Sequence, residues 1–346
     1  MESTRRAWLL VGPKAGDATQ LRVLGAALAA RGWTVEERRL AFRHHELATN
    51  LLLRVTLAGL RRDASDPLAP PWPALVLTAG RRNEPVARWI RRASGERSRL
   101  VHVGRPWAAP RHFDLIVTTP QYFLDPARHD NVLRLPLPLV PAPTRRARPD
   151  GEAPFLALLV GGDSGMRVLT AAGAVTLADE ALALARARGL ALRVTTSPRT
   201  PPAAEAALAE RLAGRSSVVV HGWHRSAGRA NPYGDWLATA DAFLVTAESM
   251  SMIAEAVATG RPVWLAPIPT PPRPWWATRQ GWRWKPLTHR LAQRLAPERL
   301  RRDTHRIVAA LLDADRVRPV TDPTTPAGAA GGVGNTGATQ AADAIE

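Results

Sequence analysis

Between residues 231 and 267, two hydroxyls and one carboxylate are spaced so that a single ligand could meet all three. Ser249 and Ser251 flank Met250 two residues after the run Phe243-Leu244-Val245-Thr246, past Ala247 and Glu248, and Glu255 follows on the helix that the run enters. A strand that feeds a helix through a Ser-x-Ser turn leaves backbone N–H groups without intrahelical partners, and such a helix start meets phosphate oxygens readily. Glu255, expected in the first turn, adds an acceptor for hydroxyl groups. The chemistry is recognition of a phosphorylated, ribose-bearing ligand beyond the carboxyl end of a strand, where open α/β sheets bind ligands. Gly260 can take the left-handed conformation that closes the helix, and Pro262 opens the next buried strand.

A second turn of the same kind lies upstream. Gly161-Gly162-Asp163-Ser164 follows the apolar run 155–160. Glycines there let backbone amides approach a phosphate closely. Thr196 and Arg199 sit at the end of the next apolar run, where a hydroxyl and a guanidinium can join a diphosphate site. Gly161, Gly162, Ser164, Thr196, Arg199, Ser249, Ser251 and Glu255 are therefore expected to serve one ligand. Asn231-Pro232-Tyr233 reads as a helix start, with Asn231 accepting from an exposed amide. In the first half, Gly12-Pro13-Lys14-Ala15-Gly16-Asp17 again joins a strand to a helix. Its spacing is neither a dinucleotide fingerprint nor a P-loop. Asp17 reads as a helix cap or first-turn acid, or as a general base.

These turns need strands and helices behind them, and the chain alternates accordingly. Strands are expected over 7–11, 34–40, 74–78, 100–103, 115–118 and 132–135, with helices over 17–31, 44–62 and 84–94. After the proline-rich and arginine-rich stretch 136–150 the alternation restarts at 155–160 and continues through 174–188, 191–195, 202–213 and 218–221. The fold class is α/β, with two Rossmann-like doubly wound domains facing a cleft. The expected boundaries are 1–140 for an N-terminal acceptor-side domain, 141–150 for a linker, 151–320 for a C-terminal nucleotide-sugar-binding domain, and 321–346 for a disordered tail rich in Gly and Ala.

Composition narrows the function. The 346 residues carry a formal net charge of +17, yet Lys14 and Lys285 are the two lysines among 47 basic residues, and the arginines are spread over the whole chain. With no helix-turn-helix, zinc-finger or RNA-binding motif among them, nucleic acid is an unfavoured partner. The absence of cysteine removes disulfides and thiolate metal sites. No metal-binding motif appears, so no metal and no cofactor are expected. The N-terminal apolar run is too short for a signal peptide and no apolar run reaches about 18 residues, which reads as a cytoplasmic protein. Trp275, Trp276, Trp282 and Trp284 alternate with arginines over 271–294, a pattern suited to peripheral contact with an anionic membrane surface, on the inner face of the cytoplasmic membrane. The oligomeric state is not legible.

The string Asn231-Pro232-Tyr233, Leu237-Ala238-x-Ala240-Asp241, Thr246-x-x-Ser249-x-Ser251-Met252, Glu255-Ala256, Thr259-Gly260-x-Pro262-Val263 resembles the family named for a plant elongated-mitochondria protein, whose bacterial members are labelled mitochondrial fission proteins. It also resembles the donor half of GT-B glycosyltransferases. The resemblance implies a GT-B fold and a nucleoside diphosphate sugar held by the second domain, with Glu255 on the ribose hydroxyls and the stretch from His221 to Trp223 beside the base. It implies metal-independent transfer to a cell-envelope or lipid-linked acceptor, with Lys14, Gly16, Asn83 and Arg105 on the acceptor side. Asp17 stands roughly where related lipid-linked sugar transferases often carry a histidine base. Two alternatives are a non-catalytic scaffold that kept the fold and a nucleotide-sugar epimerase.

Overall fold

The computed structural model describes residues 5–43, 55–164, 167–268, 294–295, 297–322 and 336–346. They form two compact units. One holds the chain up to Pro141, together with Pro297–Asp303 and the C-terminal segment ending at Glu346, and the other runs from Ala142 and takes in the residues from Thr304.

The first unit is built on six strands, β1 (Arg6–Val11), β2 (Thr34–Arg39), β3 (Leu75–Ala79), β4 (Arg99–Val103), β5 (Leu115–Thr118) and β6 (Val132–Arg134). They pair in parallel in the order β2-β1-β3-β4-β5-β6. Parallel strands covered on both faces must be apolar throughout, and all five residues of β3 are buried. The edge strands are exceptions, β2 above all. Its sequence Thr-Val-Glu-Glu-Arg-Arg is half-exposed, a charged edge that discourages pairing with other chains. Helices α1 (Ala15–Ala29) and α2 (Asn83–Ala93) follow β1 and β3.

The second unit repeats the plan with β7 (Phe155–Leu159), β8 (Ala191–Thr195), β9 (Val218–His221), β10 (Ala242–Thr246), β11 (Val263–Ala266) and β12 (Arg318–Pro319), in the order β12-β11-β10-β7-β8-β9 and again parallel. Its helices are α3 (Ala171–Ala187), α4 (Pro202–Leu212), α5 (Tyr233–Thr239), α6 (Met250–Ala258) and α7 (His305–Asp313). The strand order reverses between β7 and β10, so the loops after these two strands diverge and leave a crevice at the carboxyl edge.

Two expectations differ from the structure. Residues 55–61 of the expected helix 44–62 are irregular, with buried Leu60 bridging Phe42, while 44–54 lie outside the described residues. The stretch expected as a disordered tail contains α8 (Thr336–Asp343), whose Ala338, Ala341 and Ala342, with Ile345 beyond them, are buried in the core of the first unit beside Leu21, Leu24, Leu28 and Leu135. Small side chains at helical spacing let α8 lie close against its neighbours, and Arg99 fixes its end by donating to the Ile345 carbonyl at 2.7 Å.

Candidate functional site

In the second unit the crevice between β7 and β10 gathers most of the residues singled out above. Gly161 and Gly162 leave β7 with their amides already engaged. Gly161 N–H donates to Thr246 Oγ1 at 2.8 Å, and Gly162 N–H to Glu248 Oε1 at 2.8 Å. Thr246 Oγ1 donates in turn to Glu248 Oε1 at 3.1 Å. The amides expected to be open to a phosphate thus point at a hydroxyl, for Gly161, and at a buried carboxyl group, for Gly162. The Gly161 carbonyl accepts from the Ser197 hydroxyl and, at 3.1 Å, from Thr200 Oγ1, which pins the turn from the other side.

Arg199 reaches across this turn. Its guanidinium donates to Ser249 Oγ at 3.0 Å and to the Asp163 carbonyl at 3.3 Å, and lies 3.9 Å from Glu248. Ser249 is the residue before α6 and does not cap it with its side chain, so its hydroxyl is turned to Arg199 instead. Ser251 is exposed on the first turn of α6, and Ser164 closes a small turn with Arg167. Glu248 is 2% exposed, its Oε2 has no partner, and burial raises its pKa. No role was read for it in the sequence, because a Glu two residues before a helix looks like an ordinary surface acid.

Glu255 sits in the second turn of α6, not the first. It accepts from the Tyr233 hydroxyl of α5; burial raises its pKa, and that hydrogen bond opposes the rise. Tyr233 itself is held strongly protonated by burial and by the neighbouring carboxylate. Asn231 accepts from Tyr233 N–H at 3.0 Å, the expected capping contact, with helical structure starting one residue after Pro232.

Past β9, His221 is half-buried and Trp223 is 42% exposed. The backbone here is held by Glu205, a fully buried carboxylate on α4. It accepts from Thr196 Oγ1 at 2.6 Å, from His224 N–H at 3.1 Å and from Arg225 N–H at 2.8 Å, while Thr196 Oγ1 accepts from Trp223 N–H at 2.7 Å. Thr196 therefore supports the 222–225 turn through its hydroxyl, which is occupied. Glu205 was also not legible in the sequence, since its partners lie nine to twenty residues away. Replacing Glu205 with Gln puts an amide NH2 against N–H donors and should cost about 1–3 kcal/mol of stability, read from denaturant unfolding.

The first unit carries a separate cavity of ≈ 150 Å³ at the carboxyl ends of β3, β4 and β5, lined by Lys14, Asp17, Arg81, Arg105, Trp107 and Tyr122, among others. Asp17 is the third residue of α1. Lys14, not Asp17, occupies the cap position. Burial raises the Asp17 pKa, against the opposing pull of Lys14 and Arg302. The Arg105 guanidinium donates to the Leu300 carbonyl and lies 5.4 Å from the centre of the Tyr122 ring. Asn83 is turned inward, donating to the Leu10 carbonyl at 2.6 Å, and Gly16 is an exposed residue of the first turn of α1. Among the described residues no group of three His, Asp or Glu side chains is placed to hold a metal.

The family model for mitochondrial fission ELM1 matches residues 15–321 of the chain. The chain belongs to this family. A family relative, the mitochondrial fission protein ELM1 of Arabidopsis thaliana, is 38% identical over 74 residues, which cover 21% of this chain and 16% of that protein's length. Among solved structures, the glycotransferase of kitacinnamycin superposes with a TM-score of 0.52 at 13% identity, covering 98% of both chains. The putative UDP-N-acetylglucosamine 2-epimerase of Listeria monocytogenes reaches 0.49 at 13% identity, covering 99% of this chain and 95% of its own. The two parallel sheets and the superposition on the kitacinnamycin glycotransferase make the fold GT-B-like, and at 13% identity that likeness speaks for the fold alone.

Proposed function

We propose that this family member is a glycosyltransferase that takes a nucleoside diphosphate sugar on its second unit. The observation that carries this reading is the convergence of the Gly161-Gly162 turn, the Arg199 guanidinium and the start of α6 on the reversal point of the second sheet. An oriented guanidinium and a helix N-terminus stabilise the charge that builds on a leaving diphosphate. Glu255, with Tyr233 beside it, takes the ribose hydroxyls, and the half-buried His221 and exposed Trp223 flank the base. In the first unit, Lys14 and Arg105 receive the acceptor, whose hydroxyl gives its proton to the Asp17 carboxylate. The acceptor oxygen bonds to the anomeric carbon as the bond from that carbon to the diphosphate oxygen breaks, and the nucleoside diphosphate leaves with the electron pair. A lipid-linked or cell-envelope acceptor is the reading supported by the Trp-rich and Arg-rich segment 271–294, of which residues 271–293 lie outside the described residues.

The test is thermal unfolding in the presence of UDP, GDP, ADP and CMP. At one hundred times its dissociation constant, the matching nucleotide should add about 2.7 kcal/mol of stability. Glu255→Ala should lose most of this shift and stay folded. Should no nucleotide at millimolar concentration move the unfolding of the wild-type protein, the transferase reading gives way to a scaffold that kept the fold.

A further inference from the structure

The buried carboxyl group of Glu248 stands where a diphosphate on this turn would need N–H donors, and no role has been assigned to it. Its Oε1 takes the Gly162 amide and the Thr246 hydroxyl, while its Oε2 is buried without a partner. A Cβ on Gly161 would collide with this side chain and come within 2.8 Å of Ser249 Cβ and 2.9 Å of Arg199 Nη2, so the glycine exists to let the carboxyl group in. An ionised carboxylate in this position repels a diphosphate a few ångströms away. A neutral carboxyl group keeps Oε1 as acceptor for Gly162 and offers an O–H from Oε2 to a phosphate oxygen, which satisfies the one atom left unpaired.

We infer that Glu248 is a positioning residue of the diphosphate site that must carry a proton when the ligand is bound, so that binding of a nucleoside diphosphate sugar takes up one proton at Oε2. This rests on the donor-site reading above. The other charged groups around Glu248 are few. Arg199, from the loop after β8, faces it and favours the ionised form. Asp163, from the loop after β7, accepts from Leu169 N–H at 3.1 Å. Glu255, on α6, is engaged by Tyr233. His221 ends β9, and His305 lies beside Arg167. The comparison with Glu248→Gln separates their contribution from that of Glu248.

The experiment measures binding of UDP-glucose, GDP-glucose and ADP-glucose from pH 5.5 to 8.5, because these sugar nucleotides have no phosphate that titrates in this range. For the ligand that binds, wild-type affinity should fall as pH rises, approaching about tenfold per unit above the Glu248 pKa. Calorimetry in two buffers of different ionisation enthalpy should show uptake of close to one proton. Glu248→Gln, whose amide donates permanently, should bind more tightly than wild type above the Glu248 pKa, by up to about tenfold for each pH unit, with a flatter profile and less proton uptake. Unchanged pH dependence in Glu248→Gln, or weaker binding than wild type throughout, overturns the assignment. Proton uptake on the wild-type protein alone decides the matter if the variant does not fold: none between pH 5.5 and 8.5 overturns the proposed uptake. Absence of binding by any of the three ligands to wild type and variant alike removes the donor site itself, a different failure from the preceding ones.

Discussion

Replacing Gly162 with alanine should destabilise the second unit by about 2–6 kcal/mol and remove nucleotide binding. Gly162 has φ 114°, a region in which a non-glycine residue costs about 1–3 kcal/mol. The new Cβ would also lie 2.5 Å from the Arg199 carbonyl carbon and 2.6 Å from Thr200 N, and forced overpacking adds about 1–3 kcal/mol. Both neighbours are backbone, so no side chain can rotate away. The strand-to-loop join must move, which breaks the 3.0 Å hydrogen bond from Asp163 N–H to the Arg199 carbonyl and shifts the guanidinium. Gly189→Ala is the matched control. Gly189 has φ 63° and nothing within 4 Å of the added Cβ, so it bears the conformational cost alone. Hydrogen exchange resolved by residue should show the loss of protection in β7, β8 and β10, with β1 and β3 unchanged. Equal unfolding midpoints for the two variants would contradict the close approach at Gly162.

Replacing Asp17 with asparagine should slow transfer by about 10²–10⁴-fold, the usual worth of a general base. It should do so without loss of stability at pH 7.5. Burial raises the Asp17 pKa in the folded protein, so the favourable contribution of the protonated acid is complete below the unfolded pKa and is lost as pH rises through the folded one. Asparagine has no such loss. The stability of the variant relative to wild type should therefore increase with pH across that window, while wild-type activity should rise through the same raised pKa as the base ionises. If Asp17 served only the dipole of α1, the variant would be less stable at pH 7.5 and transfer would be unaffected.

The two sheets were legible because a parallel strand covered on both faces is written as a short continuous apolar run, and the runs at 74–78, 155–160 and 242–246 need no partner to be recognised. The turns after β7 and β10 were legible for a related reason, since glycine pairs and Ser-x-Ser steps report backbone geometry at their own positions. Glu205 and Glu248 were not. A carboxylate becomes a structural anchor through donors brought in from elsewhere in the chain, and Glu248 meets Gly162 across 86 positions. The leucines over 51–60 resembled one helix face, yet the described part of that segment spends Leu60 on a bridge to Phe42. The last helix was hidden by composition. Ala338, Ala341, Ala342 and Ile345 follow a helical period, but small residues in a Gly-rich and Ala-rich stretch carry too little hydrophobicity to stand out before their binding surface is known.

That last helix sets a schedule for synthesis. Domains generally fold in the order in which they leave the ribosome. Here the opening 141 residues do not contain all of the core they belong to, because Ala338, Ala341, Ala342 and Ile345 close it from the far end of the sequence. Every residue of the second unit is translated before that missing piece exists. Until then the leucine face of α1 has no cover from α8. The same order makes the final turn of the chain a poor place for a cut or a fusion, since Arg99, Arg31 and Arg5 all hold groups between Thr339 and Glu346.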